Sequence, residues 1–140
     1  MAIDFPSQEW TEKYKETINS DPGYKKAGAN WQAGAISFII KANPEIGLEQ
    51  DQAFILDLHK GECRDARMAD MDEAMAQPFI ITASYSQWKA VIRSELDPIK
   101  GMMQGKLKLK GNLPMIVRFV DAAKSLVQNA AKVDTKFLDE

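Results

Sequence analysis

His59 and Cys63 are the only histidine and the only cysteine of the chain, and they stand within one short stretch. A thiolate-imidazole nucleophile would need a third group to orient the base and an oxyanion site beside the thiol. Neither accompanies this pair, because Lys60-Gly61 between them has the signature of a hairpin turn. His59 therefore reads as a turn residue at the surface and Cys63 as a small buried one, and no catalytic residue is assigned. Asp70, Asp72 and Glu73 cluster as metal ligands do, but they lack calcium-loop spacing and the turn glycine such a loop requires. A solvated loop is expected there. Gly101, Gly105 and Gly111 make no phosphate cradle, since Gly105-Lys106 opens a strand and not a helix. Neither a cofactor nor a metal is implied. Lys106, Lys108 and Lys110 alternate with Leu107 and Leu109, which puts three cations on one strand face. Lysine rows commonly guard a sheet edge against pairing. Their functional alternative is transient contact with anionic head groups at a membrane surface.

Composition narrows the classes of function further. With 140 residues, 45% hydrophobic and 27% charged, the chain has ordinary globular make-up and the length of a single domain over 1–140. A net charge of -2 offers no basic footprint for a phosphate backbone, so nucleic-acid binding is not expected. Met1 to Trp10 lacks the positive start and apolar run of a signal peptide, and no apolar stretch approaches the ~20 residues that span a bilayer. The lone cysteine suits a reducing compartment, and a cytoplasmic protein is expected.

The elements that would position these residues follow from periodicity and breakers. Ser7 is placed to cap a helix with Trp10, Tyr14 and Ile18 on one face, stopped by Asp21-Pro22-Gly23. Ile36, Phe38 and Ile40 alternate as a half-buried strand, and Phe54, Leu56 and Leu58 as a second. Glu62 to Ala69 returns from the turn as a polar edge strand, and Phe79-Ile80-Ile81-Thr82 is apolar enough for an interior one. Ser84 with Gln87 makes a capping box for a helix carrying Trp88, Val91, Ile92 and Leu96. Asp97-Pro98 starts a short helix with Met102 and Met103, and Lys106 to Lys110 forms the fifth strand. Pro114 opens a last apolar-striped helix to about residue 131, roughly 27 Å long. The sum is an α+β fold, a five-stranded, mostly antiparallel sheet with helices on one face.

Trp88-Lys89-Ala90-Val91-Ile92, followed by Glu95-Leu96-Asp97-Pro98-Ile99-Lys100-Gly101-Met102-Met103-Gln104-Gly105 and Lys106 to Asn112, resembles the sterol carrier protein family of lipid-binding domains. The likeness extends more weakly to Asn19-Ser20-Asp21-Pro22, to Asn30-Trp31, to Asp57 through Arg64 and to the closing helix. The resemblance implies an apolar tunnel between helices and sheet for an acyl-chain, acyl-CoA, isoprenoid or sterol-like ligand. It implies a stand-alone, prokaryotic-type member that binds or transfers lipid without chemistry, for which acyl or isoprenoid ligands fit better than sterols. The alternative is an accessory domain docking on an enzyme of lipid metabolism.

The expected lining follows from combining that tunnel with the apolar stripes. Phe38, Leu56, Ile81 and Leu107 would face it from the sheet, and Trp88, Ile92, Met102 and Met103 from the middle helices. Met115, Phe119 and Val120 would close it from the last helix. Methionine is flexible and polarizable and suits a wall that adapts to its ligand. For each of these residues the plain alternative is an ordinary core. Val133 to Phe137 would fold back as a further flap.

Overall fold

The computed structural model describes residues 1–140. After β1 (Ile3–Phe5), the Ser7 hydroxyl accepts from the Trp10 backbone N–H and starts α1 (Gln8–Asn19), with Trp10, Tyr14 and Ile18 on its buried face. Asp21 caps α2 (Pro22–Ala27), where proline at the first turn sacrifices no needed donor. β2 (Ile36–Ile40) and β3 (Gln52–His59) pair antiparallel across a loop that contains a 3-10 turn at Pro44–Ile46. Lys60 (φ 50°) and Gly61 (φ 82°) then turn β3 into β4 (Glu62–Ala69). Two positive φ values give the turn the twist of its strands. Glycine is required at position 61, because a Cβ there would stand 2.4 Å from the Lys25 carbonyl oxygen.

The chain continues through α3 (Met71–Met75), β5 (Phe79–Ala83), α4 (Tyr85–Ile92), α5 (Pro98–Met103) and β6 (Lys108–Lys110). It closes with α6 (Leu113–Arg118), α7 (Val120–Ala131) and β7 (Thr135–Phe137). The main sheet has the order β4-β3-β2-β5-β6. Only β2 and β5 run parallel, so the sheet is mostly antiparallel, as the sequence implied. No helix is long and apolar enough to cross a membrane.

Several local expectations change. The fifth strand is shorter than its alternation suggests, because the Lys106 and Leu107 N–H groups both donate to the Gly101 carbonyl and still close α5. Leu107 tucks under Gly101, 1% exposed, before the sheet begins. The helix from Ser84 stops at Ile92, where Ser94 adopts φ 61° and Glu95 and Leu96 both donate to the Ala90 carbonyl. The last helix breaks at Phe119 (φ -107°, ψ 38°), whose N–H bonds three residues back to Ile116. Asp72 and Glu73 lie in a helical turn and not in a loop, with Asp70 as its cap, accepting from Glu73 N–H at 2.8 Å. That short α3 lays Met71 and Ala74 over Ile39, Ala53 and Ile80, on the sheet face away from the other helices. Ser37, expected to point outward from β2, is buried there and donates to the Ala74 carbonyl at 2.7 Å.

The tail does fold back, as a strand. Ile3 to Phe5 pairs in parallel with Thr135 to Phe137, and Trp10 Nε1 donates to Thr135 Oγ1 at 2.9 Å. Lys89 reaches both Asp139 and Glu140, and the Arg93 guanidinium lies 4.9 Å from the Phe137 ring centroid. Three-residue strands are too short to leave a period in the sequence.

Candidate functional site

Between the helix-covered face of the sheet and the last helices lies a cavity of about 40 Å³ lined by nine apolar residues. Ile36 and Leu58 form its floor, Tyr24 and Trp31 its flank, and Ile116, Phe119, Ala122, Ala123 and Leu126 its roof. Trp31 is fixed by its own polar groups: Nε1 donates to the Gly34 carbonyl at 2.9 Å, and its carbonyl accepts from Lys60 N–H at 2.8 Å. Its ring then meets Phe119 edge-on, at 5.0 Å and 84° between planes, and Phe79 at 5.2 Å.

The roof is held unevenly. Its C-terminal half is bolted to the body by Tyr14 Oη donating to the Leu126 carbonyl (2.8 Å) and Thr17 Oγ1 to the Asn129 carbonyl (3.0 Å). Asn129, itself fully buried, donates from Nδ2 to the Asp21 carboxylate at 2.9 Å. That hydrogen bond is the main reason the Asp21 carboxyl is held below its ordinary range. Residues 113–124 make no ion pair to the rest of the protein, and their only side-chain hydrogen bond is the Asn112 cap on Met115 N–H. Ile116, Phe119 and Ala122 hold this half by apolar contact alone. Val117 (43%) and Val120 (37%) face solvent on its outer side.

Residues 12–124 match the model of the SCP-2 sterol transfer family. The chain belongs to that family. A crystal structure of sterol carrier protein 2 superposes with a TM-score of 0.81 at 29% identity, covering 91% of this chain and 97% of that one. The solution structure of a conserved hypothetical protein from Thermus thermophilus gives 0.83 at 28%, covering 93% and 90%. Sterol carrier protein-2 of Aedes aegypti, in complex with the C16 fatty acid palmitate, shares the fold at 0.51 and 20%, covering 84% and 93%. A search of curated proteins returns no match.

Against the tunnel implied by the family, this member is nearly closed. Pockets that enclose small-molecule ligands run to about 300–1,000 Å³, and 40 Å³ holds little more than a water or two. Of the eleven residues expected to line a tunnel, Phe119 lines the cavity. Leu56, Ile81, Trp88, Ile92 and Leu107 are buried in the continuous core beside it, with Trp88 Nε1 tied to the Ile39 carbonyl at 2.9 Å. Phe38 stacks on Phe54 at 4.8 Å, and Met102 and Met115 pack half-buried on the same core. Met103 and Val120 do not face the interior: Met103 is 70% exposed and Val120 37%. One residue advances about 100° around a helix, so burying Met102 turns Met103 outward. Val120 follows the break that swings Phe119 inward. Ile36, Leu58, Ile116 and Leu126 stand in the apolar stripes already visible in the sequence. Tyr24 and Trp31 lie on a one-turn helix and a loop, where no period marks them.

The reactive side chains lie elsewhere. Burial pushes the Cys63 thiol up to about 12, its sulfur lies 3.3 Å from the Asp65 carbonyl, and its backbone N–H donates to Asn19 Oδ1. No group of three or more His, Cys, Asp or Glu converges as a metal site. Lys106, Lys108 and Lys110 surround a shallow groove with Lys41, over Ile80 and Thr82 on the sheet face opposite the cavity. Lys41 is paired with Asp51 at 3.0 Å, whereas the other three form no ion pair.

Proposed function

We propose that this protein is a non-catalytic lipid carrier that takes one acyl-chain, isoprenoid or sterol-like ligand between its sheet and the α6–α7 roof. The observation that carries this reading is a cavity lined by uncharged, largely apolar side chains under a roof whose N-terminal half is held by apolar contact alone. Lipid uptake then requires opening. Residues 113–124 lift as a unit, hinged on the polar bolts at Leu126 and Asn129, and the ligand replaces the roof's own contacts with the floor. The trade is favourable in principle: burying about ten methylenes contributes roughly 8 kcal/mol, from which association and opening subtract several. Micromolar to millimolar affinity with low selectivity follows. The unpaired lysines on the opposite sheet face would hold the carrier transiently at an anionic membrane surface.

Native mass spectrometry of freshly purified protein, followed by organic extraction, tests the carrier reading. A bound lipid at one per chain is expected, and Phe119→Asp, which puts a carboxylate under the roof, should abolish its retention in folded protein. A co-purifying protein partner with no extractable lipid, or full retention by Phe119→Asp, would overturn it.

A further inference from the structure

One residue that lines the cavity carries a side-chain polar group without a partner. Of its nine lining residues only Tyr24 and Trp31 carry a side-chain polar atom, and the Trp31 indole is already bonded to Gly34. Tyr24 is 1% exposed, yet its hydroxyl makes no hydrogen bond, in contrast to the two other tyrosines. Tyr14 donates to the Leu126 carbonyl at 2.8 Å and Tyr85 to the Phe5 carbonyl at 2.7 Å. Every side-chain N or O atom sealed from solvent in this protein has a partner, so the Tyr24 oxygen keeps some open surface. The phenol end lies over Gly28, where even a Cβ would come within 3.1 Å of the oxygen. Burial, with a smaller contribution from nearby Cys63, keeps this phenol protonated beyond its ordinary range, so it is a neutral donor. No charged residue lines the cavity.

We propose that the Tyr24 hydroxyl anchors the lipid and selects an uncharged ligand with a hydroxyl or carbonyl oxygen at one end, bound oxygen-inward. This rests on the carrier reading and narrows it. An ionised carboxylate brought to the same place would lose its water with no cation to replace it, so it stays at the mouth or takes up a proton. A neutral oxygen gains a hydrogen bond that the apolar walls cannot supply.

The test measures 1-dodecanol, n-dodecane and dodecanoate by displacement of a neutral pyrene-labelled hydrocarbon, in the wild type and in Tyr24→Phe. The alcohol-to-alkane affinity ratio should fall about two- to tenfold in the variant. In the wild type, dodecanoate should bind more tightly as pH falls toward its own pKa, while dodecanol binding stays level. An intermolecular nuclear Overhauser effect between the dodecanol CH2O protons and the Tyr24 ring in the wild type checks the same placement without a substitution. An unchanged ratio, or an alcohol oxygen remote from Tyr24, overturns the anchor. Dodecanoate binding at about pH 8 as tightly as dodecanol, with the same loss in Tyr24→Phe, overturns the preference for an uncharged head. If the pyrene hydrocarbon itself does not bind the folded wild type, the carrier reading fails and the anchor with it.

Discussion

Replacing Phe119 with leucine should make the protein less stable and a faster lipid acceptor at once. The ring is the one aromatic contact between the liftable part of the roof and the fixed Trp31, edge-on at 5.0 Å. Such a pair contributes ~0.5–1.5 kcal/mol beyond its buried area. Leucine keeps the apolar surface but loses the pairing and a little of the contact area, so the closed form should weaken by about 1–2 kcal/mol. Because about 1.4 kcal/mol is tenfold, the open-to-closed ratio rises roughly five- to thirtyfold. While the open form stays the minor one, uptake rate and apparent affinity both scale with its population. Stopped-flow mixing with a neutral pyrene-labelled lipid should therefore show uptake accelerated by about that factor, and a thermal melt should show a midpoint a few degrees lower. A variant that melts earlier yet takes up lipid no faster would refute a roof that must lift. One that melts unchanged would refute the role given to the Trp31–Phe119 contact.

The other end of the roof should respond to pH. Asn129→Ala removes the donor to Asp21 and should cost about 1–2 kcal/mol at neutral pH in urea unfolding. Since the folded Asp21 pKa lies below its unfolded value, this stabilisation is present above the unfolded pKa and disappears as pH falls through the folded one. The gap between the wild type and Asn129→Ala should therefore narrow in acid by the share owed to Asp21, while the share from burial and from the Ser125 carbonyl persists, and a pH-independent gap would contradict the assignment. Lys108→Ala with Lys110→Ala should weaken binding to phosphatidylserine-containing vesicles about thirtyfold at low salt, at ~1 kcal/mol per lysine. Sedimentation with neutral vesicles should show no such effect, and equal losses on both would remove the membrane role. Cys63 should resist a maleimide in native protein at about pH 8 and react only on unfolding, because burial holds the thiol up to about 12. Rapid labelling of folded protein, followed by mass spectrometry, would show the site to be open.

Most of this protein's elements are readable because each rests on a local cause. Ser7, Ser84 and Asp97 cap the helices that follow them, Asp21-Pro22-Gly23 ends the first helix, and Lys60-Gly61 turns the hairpin its sequence announces. Alternation in 36–40 and 54–58 reflects a face that must be apolar wherever the strand is placed. Family membership was legible for the same reason, since the run from Trp88 to Asn112 carries its helix caps and turn glycines in linear order. The same sequence offered no catalytic residue to assign, because its one histidine and one cysteine bring no orienting partner.

Tertiary packing decided the rest. Whether an apolar residue is core or lining depends on how closely two elements approach, and periodicity carries no information on that distance. Hence Trp88 and Leu56 fill the core while Ile36 and Leu58, in equally apolar strands, border the void. The break at Phe119 is likewise invisible in a continuous apolar stripe, and the ring it turns inward meets Trp31, far away in the chain. The pairing of β1 with β7 and the burial of Ser37 under α3 both come from contacts between distant segments. Local sequence specifies which surfaces are apolar and where the chain turns; only the meeting of those surfaces determines how much space is left between them.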